Sequence, residues 1–411
     1  MAPASQGSAV RPILGLPVRF ASLGEVADIA NSGVDKKLVE GQAPVRLLNF
    51  MDVYRNTRIT SQVVNATTTA PESRVQATAL VMGDVVVTPT SESIDDLARS
   101  AVVVEDIPNL VYSYHVMRLR PDRTIIDSSF LSYLFGSRGL QTQIRAAANG
   151  ITRFGLTRSK WESLRVPLPP IEVQRDVVRK LDSFTRLEAE IQGELALRKV
   201  QVAHYRRSSI ALAEGTYPSV ALEDVFDMRT GYTPSRSEPR NWTDGSVPWF
   251  RLEDIRERGR ILEDSFQHVT TFAVKGGRLF PADSLLMSTI ATIGEHALVR
   301  VPHLANQQFI SLSVNSKFES LLDKRYLFHL AFGLGEWCRK NTTGSSLPMV
   351  RMVDFKKVPV PIPPLSIQRA VAEPLDRFEE LIVNLGAELA ARRKQYEYYR
   401  DKLLTFEEAP A

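Results

Sequence analysis

Arginine, hydroxyl and aromatic side chains gather in the glycine- and proline-rich breaks of this 411-residue chain. The segment TGYTPSRSEPR, Thr230 to Arg240, sets Tyr232, Thr233, Ser235 and Arg236 beside Ser237 and Arg240. A guanidinium can grip a phosphate with two parallel donors or offer them to a guanine edge. Just beyond, RLEDIRER carries Arg251, Asp254, Arg256 and Arg258 after the apolar PWF run. Asp accepts from a cytosine amino group as Arg donates to guanine, so a strand end bearing both signs could read bases. Two plainer readings stand beside these. Arg251 and Asp254 could pair with each other at the surface and contribute little, and 230–240 could be a solvated turn whose prolines stop the preceding element.

A third cluster, STIATIGEH, places Thr289 and Thr292 before Gly294, a hydroxyl-rich turn whose backbone amides could hold a phosphate. It lacks the Lys and the spacing of a nucleotide-binding loop. His296 reads as a packed strand residue, and Asn306 and Gln307 either order this loop or reach an adenine. The first half of the chain holds matching places. Arg55, Asn56 and Arg58 break an apolar run, Thr88, Thr90 and Ser91 align with STIAT, and SGVDKK stands where the second half has GYTPSR. Arg153, in the turn ANGITR, could touch phosphate. That turn and its counterpart TTGSSLP could equally cap the helices before them, with Gly150 and Gly344 left-handed.

Catalytic chemistry finds no foothold. The six histidines are scattered and Cys338 is the single cysteine, so no HExxH or cysteine pair offers metal ligands. Neither a DPPY or NPPY tetrapeptide nor a glycine-rich cofactor loop is present. Glu72, Asp84 and Asp283 read as turn or surface carboxylates without an evident Lys partner. The expectation is a chain that is not an enzyme, with no catalytic residue, cofactor or metal.

These loops must be positioned by something, and the chain repeats its positioning elements. LRVPLPPIEVQRDVVRKLDSF, from Leu164 to Phe184, returns as VPVPIPPLSIQRAVAEPLDRF from Val358 to Phe378. Gln174 aligns with Gln368, Leu181 with Leu375 and Tyr205 with Tyr399, all at an offset of 194 residues. Upstream the copies align loosely, with insertions. The front of each half offers short β-branched and aromatic runs such as Val45 to Phe50, Ala79 to Thr88, Ser284 to Ser288 and Gln308 to Val314. Such runs predict a mixed, largely antiparallel sheet, followed by a helix over Ser129 to Ala147 or Leu322 to Lys340. Beyond Pro170 and Pro364, apolar or long-stemmed residues recur at alternating spacings of four and three. They run Val177, Leu181, Phe184, on to Val202, Tyr205, Ser209 and Leu212, and Val371, Leu375, Phe378, on to Tyr396, Tyr399 and Leu403. That is a coiled-coil seam. Roughly 40 residues give each helix about 60 Å, and each apolar stripe needs a partner; the other copy, lying antiparallel, is the expected one.

The fold class expected is therefore α+β: two front domains of mixed structure alternating with two long helices that pack as an antiparallel coiled coil, in an internal pseudo-twofold repeat. The boundaries expected are 1–165, 166–215, 216–359 and 360–411. Gln174 and Gln368 could bind the Pro-rich backbone or a partner subunit. Tyr205, Tyr396, Tyr398 and Tyr399 suit an interface, although seam packing accounts for all but Tyr398. A hydrophobic fraction of 44% and a charged fraction of 24% suit a soluble globular protein. A net charge of +4 is compatible with a polyanionic partner. No run of 18 apolar residues exists, and Met1 to Ala9 lacks the features of a signal peptide, so a cytoplasmic chain with a frayed start and no membrane contact is expected.

The two Pro-rich segments, the closing stretches RKVQVAHYRRSSI and RRKQYEYYRDKLL, and the runs GYTPSRSEPRNW, PWFRLEDIR, TIATIGEHALV and ANQQF together resemble the specificity subunits of type I restriction-modification systems. The resemblance covers about Leu23 to Phe406. It implies a non-catalytic reader whose two target-recognition domains each contact half of a split double-stranded DNA target. It further implies helices whose length sets the unread spacer, two methyltransferase subunits docked on them, and a translocating nuclease subunit that joins for restriction. The loops would carry the DNA contacts, and their divergence implies an asymmetric target. A spacer of about 60 Å matches roughly 18 base pairs. A different methylation-dependent phage-defence assembly would use the same contacts; a stand-alone scaffold would show no salt-dependent DNA binding.

Overall fold

The computed structural model describes residues 17–344 and 346–410. The Met1 to Ala9 segment and Ser345, within the second polar turn, lie outside the described residues. The chain divides into two compact units, Met1–Ile191 with Glu388–Ala411, and Gln192–Ala387. Both cuts fall inside long helices, Ile171–Thr216 of 46 residues and Leu365–Leu403 of 39. Each helix starts at its Pro-rich stop: the amides of Gln174 and Gln368 donate to the carbonyls of Pro170 and Pro364.

In the first unit a one-turn helix, Leu23–Val26, feeds the strand Ala27–Ala30. This strand edges a five-stranded sheet that continues through Met117–Pro121, Val85–Val87, Ser100–Val103 and Arg58–Ile59. All its pairs are antiparallel except the last, which is parallel. A smaller sheet sets Ala43–Leu48 between Thr67–Ala70 and Leu110–Tyr112. The second unit repeats this topology. Its five strands are ordered Phe226–Thr230, Phe309–Val314, Ser284–Ser288, His296–Val299 and Ile261–Leu262, again with a parallel last pair. Its smaller sheet sets Val247–Phe250 between His268–Val269 and Leu304–Ala305.

The central strand of each large sheet is buried on both faces. Val85 and Val87 join one core and Val86 another, just as Leu285 and Met287 oppose Leu286, the period-two alternation of a strand with two apolar faces. The helix expected over Ser129 to Ala147 is two helices, Ser128–Phe135 and Arg138–Ala147. Gly136 ends the first, and the Ser137 hydroxyl accepts from the Leu140 amide to start the second. Its counterpart, Lys324–Lys340, is unbroken.

Each unit holds the start of one long helix against the end of the other, so the pairing is antiparallel. In the first unit the Phe184 ring stacks on Tyr399 at 5.4 Å, and Glu188 accepts from Arg393. In the second, Tyr205 stacks on Phe378 at 5.7 Å. The expected seam holds through Val202 but not at the end of the first helix. There Arg206, Ile210 and Ala213 are buried while Leu212 is 70% exposed. A 3.6-residue helix drifts off a seven-residue repeat, and this last stretch packs on the second unit's domain core, where Ile210 joins Leu327 and Ala331, instead of on a seam.

Gln174 and Gln368 are fully buried, which rules out the partner-interface role and leaves the backbone one. Gln174 accepts from the Asp127 amide at 2.8 Å and donates to the carbonyls of Ile125 and Pro169. Gln368 does the same with Asp323, Leu321 and Pro363. Asp127 and Asp323 in turn cap the next helix of their unit. One buried amide thus locks each long helix to its domain.

Candidate nucleic-acid interface

In the second unit the 230–240 loop is ordered by side chains beneath it. The indole N–H groups of Trp242 and Trp249 donate to the carbonyls of Ser235 and Tyr232, and Asn241 donates to Ser235. Gly231 is required because a Cβ there would come within 2.1 Å of the Asn306 carbonyl oxygen. Tyr232 is half-buried, its hydroxyl donating to Ala273 O and accepting from the Lys275 amide, so it braces the loop. Thr233 donates to Gln307 at 2.5 Å. Ser235 is exposed and shares a bond with Ser237. The Arg236 guanidinium lies 4.0 Å over the Trp242 ring and donates to Gln267 Oε1 at 3.1 Å. Arg240 and Arg258 stack on Phe272 and Phe266.

RLEDIRER separates into structural and free groups. Asp254 is fully buried; its carboxylate accepts from the amides of Arg251 and Phe266, each at 2.7 Å. It cannot reach a base, and its place in both expected readings is overturned: the partner of Arg251 is Glu253, at 2.6 Å. Arg256 is exposed and makes no side-chain bond among the described residues.

The STIATIGEH turn is no open phosphate cradle. The amides of Thr289, Ala291, Gly294 and Glu295 already donate to Gln308, Pro348, Ser288 and the Ser288 hydroxyl. Thr289 is buried, and the Thr292 carbonyl accepts from Ser288. Gly294 packs so closely on Gly335 that a Cβ would lie 2.4 Å from its carbonyl oxygen. The expectation of a phosphate contact is therefore corrected at Thr289, whereas half-buried Thr292 has only its carbonyl engaged among the described residues. Asp283 is corrected too, since Lys324 and Arg300 both pair with it.

In the first unit Thr88 is buried, its hydroxyl accepting from the Arg99 amide, so it does not face a ligand. Thr90 and Ser91 stay partly exposed and pair with the strand Phe154–Gly155. Arg153 donates to the Thr90 hydroxyl at 3.1 Å. Thr90, Ser91 and Arg153, with Phe50, Tyr54, Ser93 and His115, line an open cavity of about 600 Å³. Arg55 is exposed, the Asn56 side-chain NH2 donates to Asp52 O, and Arg58 pairs with Asp182 of the long helix at 2.6 Å. Tyr133 donates to the same carboxylate. Arg58 is thus tied to the frame. In the second unit the aligned Asp376 accepts from His329 at 2.8 Å and pairs with Arg325.

Of the tyrosines, Tyr396 is half-buried against the first unit's core. Tyr205 and Tyr399 are used in stacking, and Tyr398 is 60% exposed. Three histidines of the second unit are buried neutral. Burial, then the nearby Arg260, drops His296 to about 3; burial drops His303 to about 4. Burial also lowers His329, against the opposing pull of its bond to Asp376. Burial raises the Cys338 thiol to about 12. His296 is thus a packed strand residue and Cys338 a core thiol. Among the described residues no three His, Cys, Asp or Glu side chains group as metal ligands, and no helix is long and apolar enough to cross a membrane. Gln267 carries no signal in the sequence and Trp242 only its place in the GYTPSRSEPRNW run; what sets both apart is what they touch.

A sequence model of the type I restriction modification DNA specificity domain matches residues 18–197 and again 215–391. The chain belongs to that family. It is 50% identical over 198 residues to the type I restriction enzyme EcoprrI specificity subunit of Escherichia coli, covering 46% of this chain and 49% of that one. It is 32% identical over 271 residues to the EcoR124I/EcoR124II specificity subunit of the same organism, covering 60% and 65%. The chain thus spans about half to just under two thirds of the length of these relatives. In fold it is similar to a chain solved in work on complex assembly and conformational transition of the type I R-M system, with TM-score 0.63, 19% identity and 95% and 97% coverage. It is also similar to the type I restriction-modification S subunit from M. genitalium, with TM-score 0.55, 13% identity and 96% and 99% coverage.

Proposed function

We propose that this specificity-family chain is the non-catalytic reader of a type I restriction-modification assembly. It binds double-stranded DNA at a split, asymmetric target and directs adenine methylation by two methyltransferase subunits and cleavage by a translocating nuclease subunit. One observation carries this reading: the two units share sheet topology and the buried glutamine lock but differ in the side chains their loops expose. A common frame with unlike loops suits two readers of different half-sites, because base edges are distinguished by side chains while the frame only presents them. Arg55, Thr90, Ser91 and Arg153 are the contacts proposed for the first half-site, and Thr233, Ser235, Arg236, Arg251 and Arg256 for the second. Helix length sets the number of unread base pairs between the halves, and exposed Tyr398 is a proposed contact for a partner subunit.

Methylome sequencing of cells carrying the intact system, with and without this chain, tests the proposal. The expected result is methylated adenine in both arms of one split, non-palindromic motif that disappears when the chain is deleted. A palindromic motif would sink the asymmetric reading, and an unchanged methylome would sink the reader role.

A further inference from the structure

Arg236 and Gln267 come together from 31 residues apart, and their bond settles an orientation that an isolated glutamine leaves open. A guanidinium carries donors only, so Gln267 must turn its Oε1 to Arg236 and its NH2 outward. That NH2 has no acceptor among the described residues. Arg236 is itself held in place. Its guanidinium lies 4.0 Å over Trp242 and 5.3 Å from Trp249, and the indole of Trp242 anchors the loop through Ser235 O. Stacking and the Gln267 bond together remove much of the rotamer freedom that an exposed arginine would lose on binding. Only one nitrogen of Arg236, Nη2, is engaged by Gln267.

We infer that Gln267 is a specificity-determining residue of the second unit, forming with Arg236 a fixed, donor-only edge that selects guanine at one position of its half-site. Guanine alone among the bases shows two acceptors, O6 and N7, in the major groove. Arg236 supplies the paired donors. Gln267 aims them and adds a donor of its own, toward a second acceptor on the same or a neighbouring base. An edge without an acceptor disfavours cytosine there, whose major-groove group is an amino donor. This inference rests on the DNA-reading function proposed above.

The test is selection from a randomised duplex library by the intact assembly, purified from its host through a tag on this chain, with wild-type, Gln267→Ala, Gln267→Glu and Arg236→Ala chains. Wild type is expected to return a split motif with an invariant guanine in one arm. Gln267→Ala and Arg236→Ala each relax that position by roughly tenfold, leaving the other arm unchanged. Gln267→Glu keeps the bond to Arg236 and replaces the outward donor with an acceptor, so the preference moves away from guanine. Because Gln267→Glu conserves shape and pairing, it keeps the test informative should the alanine variant fold poorly. A wild-type motif that persists at every position in the Gln267 variants overturns the inference, and so does a loss equal on all sequences, which marks a phosphate contact. No motif from wild type would instead overturn the reader function itself.

Discussion

The two units solve the same attachment problem with the same residue and different neighbours. Each buries one glutamine that binds two carbonyls and the amide of a helix-capping aspartate. Each then uses the Asp about two turns further on, Asp182 or Asp376, which follows a Leu present in both copies. In the first unit Asp182 takes Tyr133 and the half-exposed Arg58. In the second, Asp376 takes the fully buried His329 along with Arg325. The difference teaches that the frame accepts unlike donors at the Asp, a tyrosine with an arginine in one unit and a histidine with an arginine in the other, while both units keep the same amide at the Gln. A glutamine offers both an acceptor and two donors to a site that needs all three.

The largest contrast should appear with acid. His296, His303 and His329 all belong to the second unit, and burial lowers all three. Their unfolded forms bind protons below about pH 6.5, whereas the folded forms of His296 and His303 stay neutral down to about 3 and 4. The unfolded state therefore takes up more protons between those limits, and stability falls as pH drops through that window. At pH 5 each of these two should cost the second unit about 2 kcal/mol. Hydrogen exchange at pH 7 and pH 5, corrected for intrinsic rates, checks this; equal loosening of both units would break the comparison.

Next come the locks. Gln174→Ala and Gln368→Ala each strand one amide and two carbonyls at a buried site and should destabilise by about 3 kcal/mol. Denaturant melts should give similar losses for the two variants. A difference of more than about 1 kcal/mol would show that the shared bonds do unequal jobs.

The aspartates should then separate the units. Asp376→Ala leaves the buried His329 N–H without an acceptor and should cost about 2 kcal/mol. Asp182→Ala should cost about 1 kcal/mol, because Arg58 can turn to water and its pair is screened. Thermal melts at neutral pH rank the two, and the reverse order would contradict the burial argument. The smallest effects belong to Arg55 and Arg256, both exposed. Each alanine variant should lower the slope of log affinity against log salt by about 1 if the side chain meets phosphate. An unchanged slope with altered sequence preference would move that residue to base reading.

Much of the frame was legible in the chain. A repeat at constant offset, proline stops and alternating spacings of four and three identify long paired helices, because each signal depends on neighbours a turn or two away. The loops were legible only as composition. Asp254, Thr88 and Thr289 have the residue types of DNA contacts, yet the first two are engaged by nearby amides, and Thr289 is buried with its own amide taken by Gln308. Leu212 continued the seam on paper but points to solvent, because the helix end answers to a domain core and not to its sister helix.

The sequence by itself determined the duplication, the helices, the unlike loops and the family, since these are properties of order along the chain. Only the tertiary structure decided which polar groups remain free once internal bonds are satisfied. Gln267 stands in an unremarked stretch, and its orientation exists only because Arg236, held on Trp242, arrives from 31 residues away with nothing but donors to offer.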